Sequence, residues 1–106
     1  MSRLTDEFLI ELPLDKTSWA CRDAISSIGW NIESLDPHRI IPKVGVGLTR
    51  NPSKIEVLLS DTTPSSSTVT LKGVIFGIGP HQKRHLSSEM NRLRNAIEVA
   101  ARHANP

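Results

Sequence analysis

The sequence predicts an α+β protein: a five-stranded curved antiparallel sheet in the element order β-α-β-β-β-β-α, with both helices packed on one face. Three observations carry that reading. In the last quarter of the chain Leu86, Met90, Leu93, Ile97, Ala100 and Ala104 recur at steps of three and four. On a helix turning about 100° per residue they form one apolar stripe. Several short segments before it are rich in β-branched residues and alternate apolar with polar, the period of strands buried on one side. A second helical period surrounds Ala20 to Ile28. A helix stripe must lie against another apolar layer, and the strands supply the surface.

A chain of 106 residues fits one domain over 1–106, burying roughly 60 to 70% of its unfolded surface. That allows one modest core; a large internal ligand cavity would be hard to stabilise beside it.

The elements follow in order. Phe8, Ile10 and Leu12 alternate with Leu9 and Glu11 and read as a first strand ending at Pro13. Asp15 offers an N-cap carboxylate to a helix running to Ile28 and stopping at Gly29. Ala20, Cys21, Ala24, Ile25 and Ile28 share its inner face, and Trp19 points almost directly away from them. Trp30 and Ile32 begin a second strand, Asp36-Pro37-His38 has turn chemistry, and Arg39 to Val46 returns as a hairpin partner. Pro42 cannot donate to a ladder, so it marks an edge or a bulge. The stretch with Gly45, Gly47 and Arg50-Asn51-Pro52-Ser53 is a connection. Lys54 to Ser60 alternates cleanly with Ile55, Val57 and Leu59 on one face, and Asp61 to Ser67 reads as a polar loop. In a fifth strand, Thr68 to Ile78, Val69 and Leu71 take one parity and Val74, Phe76 and Ile78 the other, which predicts a β-bulge at Gly73. Gly77 and Gly79 release the strand, and Pro80 suits the first turn of the closing helix.

With the elements in order, the start Glu7-Phe8-Leu9-Ile10-Glu11-Leu12-Pro13, a Thr-rich strand leading into Gly77-Ile78-Gly79-Pro80 and a long final helix resemble a shortened helix-grip protein of the START-like and polyketide-cyclase-like kind. That resemblance implies a curved sheet wrapped about the C-terminal helix, often enclosing a lipid or another apolar ligand. The chain has fewer strands than that superfamily and a single helix after the first strand. A small curved sheet with two helices on one face is also similar to the TATA-binding-protein-like arrangement.

Composition narrows the function. The net charge is +2, but its distribution is uneven: Met1 to His38 holds three basic and seven acidic residues, and Gly79 to Pro106 five basic and two acidic. Two helices of opposite sign side by side explain this, as does a basic surface turned toward a partner. Cys21 is the only cysteine, which excludes an intrachain disulfide and CxxC metal motifs and suits a reducing compartment. No signal-peptide core and no run of roughly 20 apolar residues is present, so the expectation is a cytoplasmic protein without a membrane span.

Chemistry has little support. His81 and His85 stand four apart, as two metal ligands can, but no third ligand is near. His103 lies roughly 27 Å from His85 along the helix. No metal and no cofactor is expected. Cys21 on a buried face is inert, the serines lack a placed base and the carboxylates form no pair, so the chain is not expected to be an enzyme. Gly79, Lys83 and Arg84 sit where a glycine turn feeds a helix N-terminus, a candidate anion site. Lys83, Arg84, Arg92, Arg94 and Arg102 make the last helix basic, with Glu98 and Arg102 spaced for an ion pair. Without tyrosine and with two phenylalanines there is no stacking platform, which argues against nucleic acid; that remains the alternative. The leading expectation is a small non-enzymatic binding module with an apolar groove or face for a hydrophobic small molecule or a protein partner. Its candidate lining is Trp19, Trp30, Val44, Val46, Leu48, Phe76, Ile78 and Met90. Open strand edges make a second copy of the chain, as a homodimer, one candidate partner.

Overall fold

Alternation in the sequence becomes one sheet with two helices across it. The computed structural model describes residues 2–43, 53–75 and 80–104, with side chains for 3–43, 53–75 and 83–104. The elements are β1 (Ser2–Ile10), α1 (Leu14–Ser27), β2 (Asn31–Asp36), β3 (Arg39–Lys43), β4 (Ser53–Thr63), β5 (Ser66–Ile75) and α2 (Pro80–Ala104). The expected element order therefore stands. The sheet is antiparallel throughout, in the spatial order β1-β5-β4-β3-β2.

Opposite residues in an antiparallel ladder share a face, so the core can be followed across the sheet as a row. Asp6, Leu71, Val57, Ile40 and Leu35 are successive partners from β1 to β2. The middle three are fully buried beneath the helices. The stripe of α2 lies against β1 and β5, and α1 against β2, β4 and β5. Leu86, Met90, Leu93, Ile97 and Ala100 are all buried, as are Ala20, Cys21, Ala24 and Ile25 on α1. The exclusion of these side chains from water is the main stabilising term, about 25 cal/mol per Å² of apolar surface.

Several local expectations are corrected. Asp15 is not the N-cap of α1: Pro13 occupies that position without a side-chain cap. Asp15 lies within the first turn, where its carboxylate accepts the Lys16 N–H at 2.9 Å and favours the positive helix end. The stop at Gly29 holds. Its φ of 84° is the left-handed geometry glycine adopts without penalty, and it lets the Trp30 N–H donate to the Ile25 carbonyl at 3.0 Å.

The polar stretch Asp61 to Ser67 is not a loop. β4 continues to Thr63, turns at Pro64-Ser65, and β5 begins at Ser66. β-Branched threonines sustain the ladder there, with a register shift between Asp61 and Thr63. Thr63 Oγ1 accepts the Ser65 N–H at 3.2 Å and shares a hydrogen bond with Ser66 Oγ at 2.7 Å.

Pro42 lies on an interior strand, so the edge reading fails and the bulge reading holds. The β2–β3 ladder shifts between Ile32 and Ser34, opposite Pro42 and Ile41. The pairing of β3 with β4 runs through Arg39↔Leu58 and Ile40↔Val57, short of the proline.

Gly73 carries no bulge. Both ladders pass through it without a shift, Leu4↔Gly73 on one side and Ile55↔Gly73 on the other. A glycine stands there because α2 crosses the sheet at that point. A Cβ would meet Met90 Sδ at 2.6 Å and Leu86 Cδ1 at 2.9 Å.

Candidate binding site

The helix-side row that begins at Asp6 is closed at one end and open at the other. At the β1 end, Arg94 of α2 reaches down to the sheet. Its Nη1 donates to Asp6 Oδ1 and Oδ2 at 2.8 and 3.1 Å. Its Nε donates to Glu98 Oε1 at 3.2 Å, and the guanidinium stands 4.7 Å from the Phe8 ring centroid. The hydrogen bond with Asp6, ahead of opposing burial and further help from Glu98, raises the Arg94 pKa above its already high ordinary value. Glu98 thus pairs with Arg94, whereas the sequence spacing suggested Arg102.

At the β2 end no such clasp exists among the described residues. Leu35, opposite the fully buried Ile40, is 50% exposed, and Ile32, opposite the buried Pro42, is 37% exposed. Ile40 and Pro42 are two residues apart on β3 and face the same way, so Ile32 and Leu35 both extend the helix-side face beyond the cover of α1. Trp30, which leads into β2, is buried. The result is an apolar shelf, Ile32 and Leu35, flanked by Trp30, Ile40 and Pro42.

The predicted site residues fall in different places. Trp30 and Met90 belong to the same buried cluster, so both are core side chains and not an open lining. Trp19 is 45% exposed on the outer side of α1, apart from them. Val44, Val46, Leu48, Phe76, Ile78 and Gly79 lie outside the described residues, as do Gly45 and Gly47. Chain continuity carries 44–52 from Lys43 to Ser53 and 76–79 from Ile75 to Pro80. Of the described residues, Lys43 opposite Asn31 and Ser53 opposite Ile75 stand at the end of the sheet where β2 starts. Sequence reasoning missed the shelf itself. The step of three from Ile32 to Leu35, in place of two, was the signal of an extra residue on β2.

Lys83 and Arg84 are exposed and line an open hollow of about 830 Å³ along α2, with Leu4, Ser87, Ser88, Asn91, Arg92 and Asn95. No carboxylate lines it among the described residues. Arg92 also donates to the Ile28 carbonyl at 3.3 Å, tying α2 to the end of α1. His85 faces Glu89 at 3.7 Å one turn along the helix. No group of three His, Cys, Asp or Glu able to hold a metal occurs among the described residues. Cys21 is fully buried, and burial pushes its thiol up to about 12, far from the thiolate a nucleophile requires. Among the described residues no helix is long and apolar enough to cross a membrane.

A sheet with the long C-terminal helix laid across it, and a shorter helix between β1 and β2, defines the helix-grip, polyketide-cyclase-like fold. No family model matches the sequence, and no curated protein matches it. Solved structures do match in fold. The di-domain aromatase/cyclase BexL of the BE-7585A biosynthetic pathway superposes with a TM-score of 0.68 at 12% identity, over 100% of this chain and 48% of that one. The chain thus spans about half of that protein. A START superfamily protein from Mycobacterium smegmatis matches with a TM-score of 0.59 at 12% identity, over 95% of this chain and 97% of that one. The aromatase/cyclase ZhuI from Streptomyces sp. R1128 matches with a TM-score of 0.52 at 11% identity, over 94% and 90%. At such identities the likeness concerns the fold.

Proposed function

We propose that this protein is a non-enzymatic binding module that holds an apolar ligand, a hydrophobic small molecule or an apolar segment of a protein partner, against the helix-side shelf at β2. The observation that carries this reading is the pair of large aliphatic side chains, Ile32 and Leu35, left open beside the buried Pro42 and Ile40 that they face. Apolar groups continuous with a core favour an apolar occupant, because each side chain covered removes further hydrocarbon surface from water. The START-like and cyclase-like neighbours support a ligand-holding use of the fold, and the inert Cys21 supports a role without covalent chemistry.

The test is titration with an environment-sensitive apolar dye, alongside native mass spectrometry of the purified protein for a copurifying ligand. Leu35→Asp and Ile32→Asp alter exposed positions, and circular dichroism checks that each variant is folded. Each is expected to weaken dye binding by about tenfold or more, the equivalent of roughly 1.5–3 kcal/mol for one aliphatic side chain. Unchanged affinity in both variants would move the site elsewhere.

A second reading rests on the hollow beside Lys83, Arg84 and Arg92, whose lining of cations and neutral hydrogen-bonding groups suits an anionic partner such as a nucleic-acid backbone. Arg94, held by Asp6 and Glu98, is not part of it. Salt separates the two: an anionic partner is released steeply as salt rises, whereas the dye is not.

A further inference from the structure

The two edges of the sheet are not alike. β2, at one edge, is six residues long, with a register shift after Ile32 that interrupts its line, and its ionisable side chains, Glu33 and Asp36, are both acidic. Short, bulged, single-signed edges resist pairing with another strand. β1, at the other edge, is nine residues long. It pairs with β5 at every position from Ser2 to Ile10 without a shift and contains no proline. Among the described residues, no backbone hydrogen bond joins β1 to anything but β5. Its outer edge is a regular template for a further strand.

The charges on that template are self-complementary. Arg3, Thr5, Glu7 and Leu9 alternate on the face away from the helices, and all four are exposed. Arg3 and Glu7 stand at equal distances on either side of Thr5. We propose that β1 is the interface for a second copy of this chain, paired antiparallel about a two-fold axis through Thr5. That arrangement sets Arg3 of each copy opposite Glu7 of the other, twice over, and joins the two sheets into one of ten strands.

A two-fold axis normal to the sheet must pass through a residue that faces itself, and this limits the choices. An axis at Leu4 pairs Arg3 with Thr5 and gives no opposite charges. An axis at Asp6 or Glu7 sets a carboxylate against its own copy, which like-charge repulsion disfavours. Only the Thr5 axis matches acid with base at both symmetric positions. Glu7 is already oriented on this face, accepting a hydrogen bond from Thr70 Oγ1 of β5 at 3.4 Å. The inference is independent of the ligand reading, because the shelf lies on the opposite edge of the sheet.

Sedimentation equilibrium over a wide concentration range is expected to show a monomer–dimer equilibrium. Thr5→Lys puts two ammonium groups face to face on the axis and is expected to give a folded monomer, checked by circular dichroism. Glu7→Arg and Arg3→Glu alone should each weaken the dimer by about tenfold or more. Combining them restores both ion pairs with reversed polarity and should recover it. Under mild oxidation Thr5→Cys should crosslink to itself, since residues facing each other across an antiparallel pair lie within disulfide reach, whereas Leu9→Cys should not. A monomer at every concentration, a dimer indifferent to Thr5→Lys, or a double swap that fails to restore association would each overturn the proposal.

Discussion

Gly73 shows what a single residue can and cannot announce. In the sequence it separates two runs of opposite parity, which reads as a kink in the strand. In the structure the strand runs straight through it, and the missing side chain is the space that Met90 and Leu86 occupy. A glycine in a strand interior has either meaning, and the choice depends on a helix that crosses from a different part of the chain. Gly73→Ala is expected to cost about 1–3 kcal/mol in urea unfolding, as inserting a methyl into a packed contact does. Met90→Ala in the same chain should return part of that loss, and strictly additive penalties would show that the two do not meet. The two tryptophans were better told apart: the helical wheel turned Trp19 outward, and it is exposed. Thr17 and Ser67 carried no signal at all. Both are buried, and both donate to the Leu12 carbonyl, at 3.2 and 2.9 Å. Their partner is a backbone oxygen that composition and period do not register.

Among the elements, periodic ones were legible and their ends were not. The stripe of α2 and the alternation of β4 fixed two elements because many residues repeat one pattern. The start of α1 was misassigned because Asp15 has good capping chemistry, yet Pro13 already holds the extended geometry that precedes a helix. The far end of the β4–β5 hairpin, Asp61 to Ser67, reads as a loop in the sequence because serine and threonine serve turns and strands alike. The open shelf on β2 went unread because one extra residue reverses the side on which everything after it points.

The clasp of α2 on β1 is a prediction at this scale. Asp6 and Arg94 are 28% and 36% exposed, so solvent screens their attraction and the pair is worth about 1 kcal/mol. Arg94→Ala should cost somewhat more, roughly 1–2 kcal/mol, because the Phe8 ring loses its cation as well. In molar salt that penalty should shrink without vanishing. A penalty fully abolished by salt would leave the ring contact without energetic weight.

For the molecule as a whole, the layering was readable and the lateral arrangement was not. Element order and amphipathic faces dictate two helices over an antiparallel sheet. Nothing local states that β1 neighbours β5, or that the helices cover one side of the row and leave the other bare. The two tryptophans report on the layers independently. In a Trp30→Phe background the fluorescence of Trp19 should be readily quenched by iodide. In a Trp19→Phe background Trp30, 7% exposed, should be shielded until the protein unfolds. Equal quenching of the two would contradict the packing of Trp30 beneath the helix layer.

The pairing of β1 with β5 also constrains how the chain acquires its shape. Ile10 meets Ser67 and Ser2 meets Ile75, so β1 has no ladder to join until the chain has been extended as far as β5. The hairpin of β4 and β5, joined by a two-residue turn, closes a short loop and can form first. Until that hairpin is present β1 has no partner strand, and Arg3, Asp6 and Glu7 give it the charged side chains that oppose pairing with a wrong one.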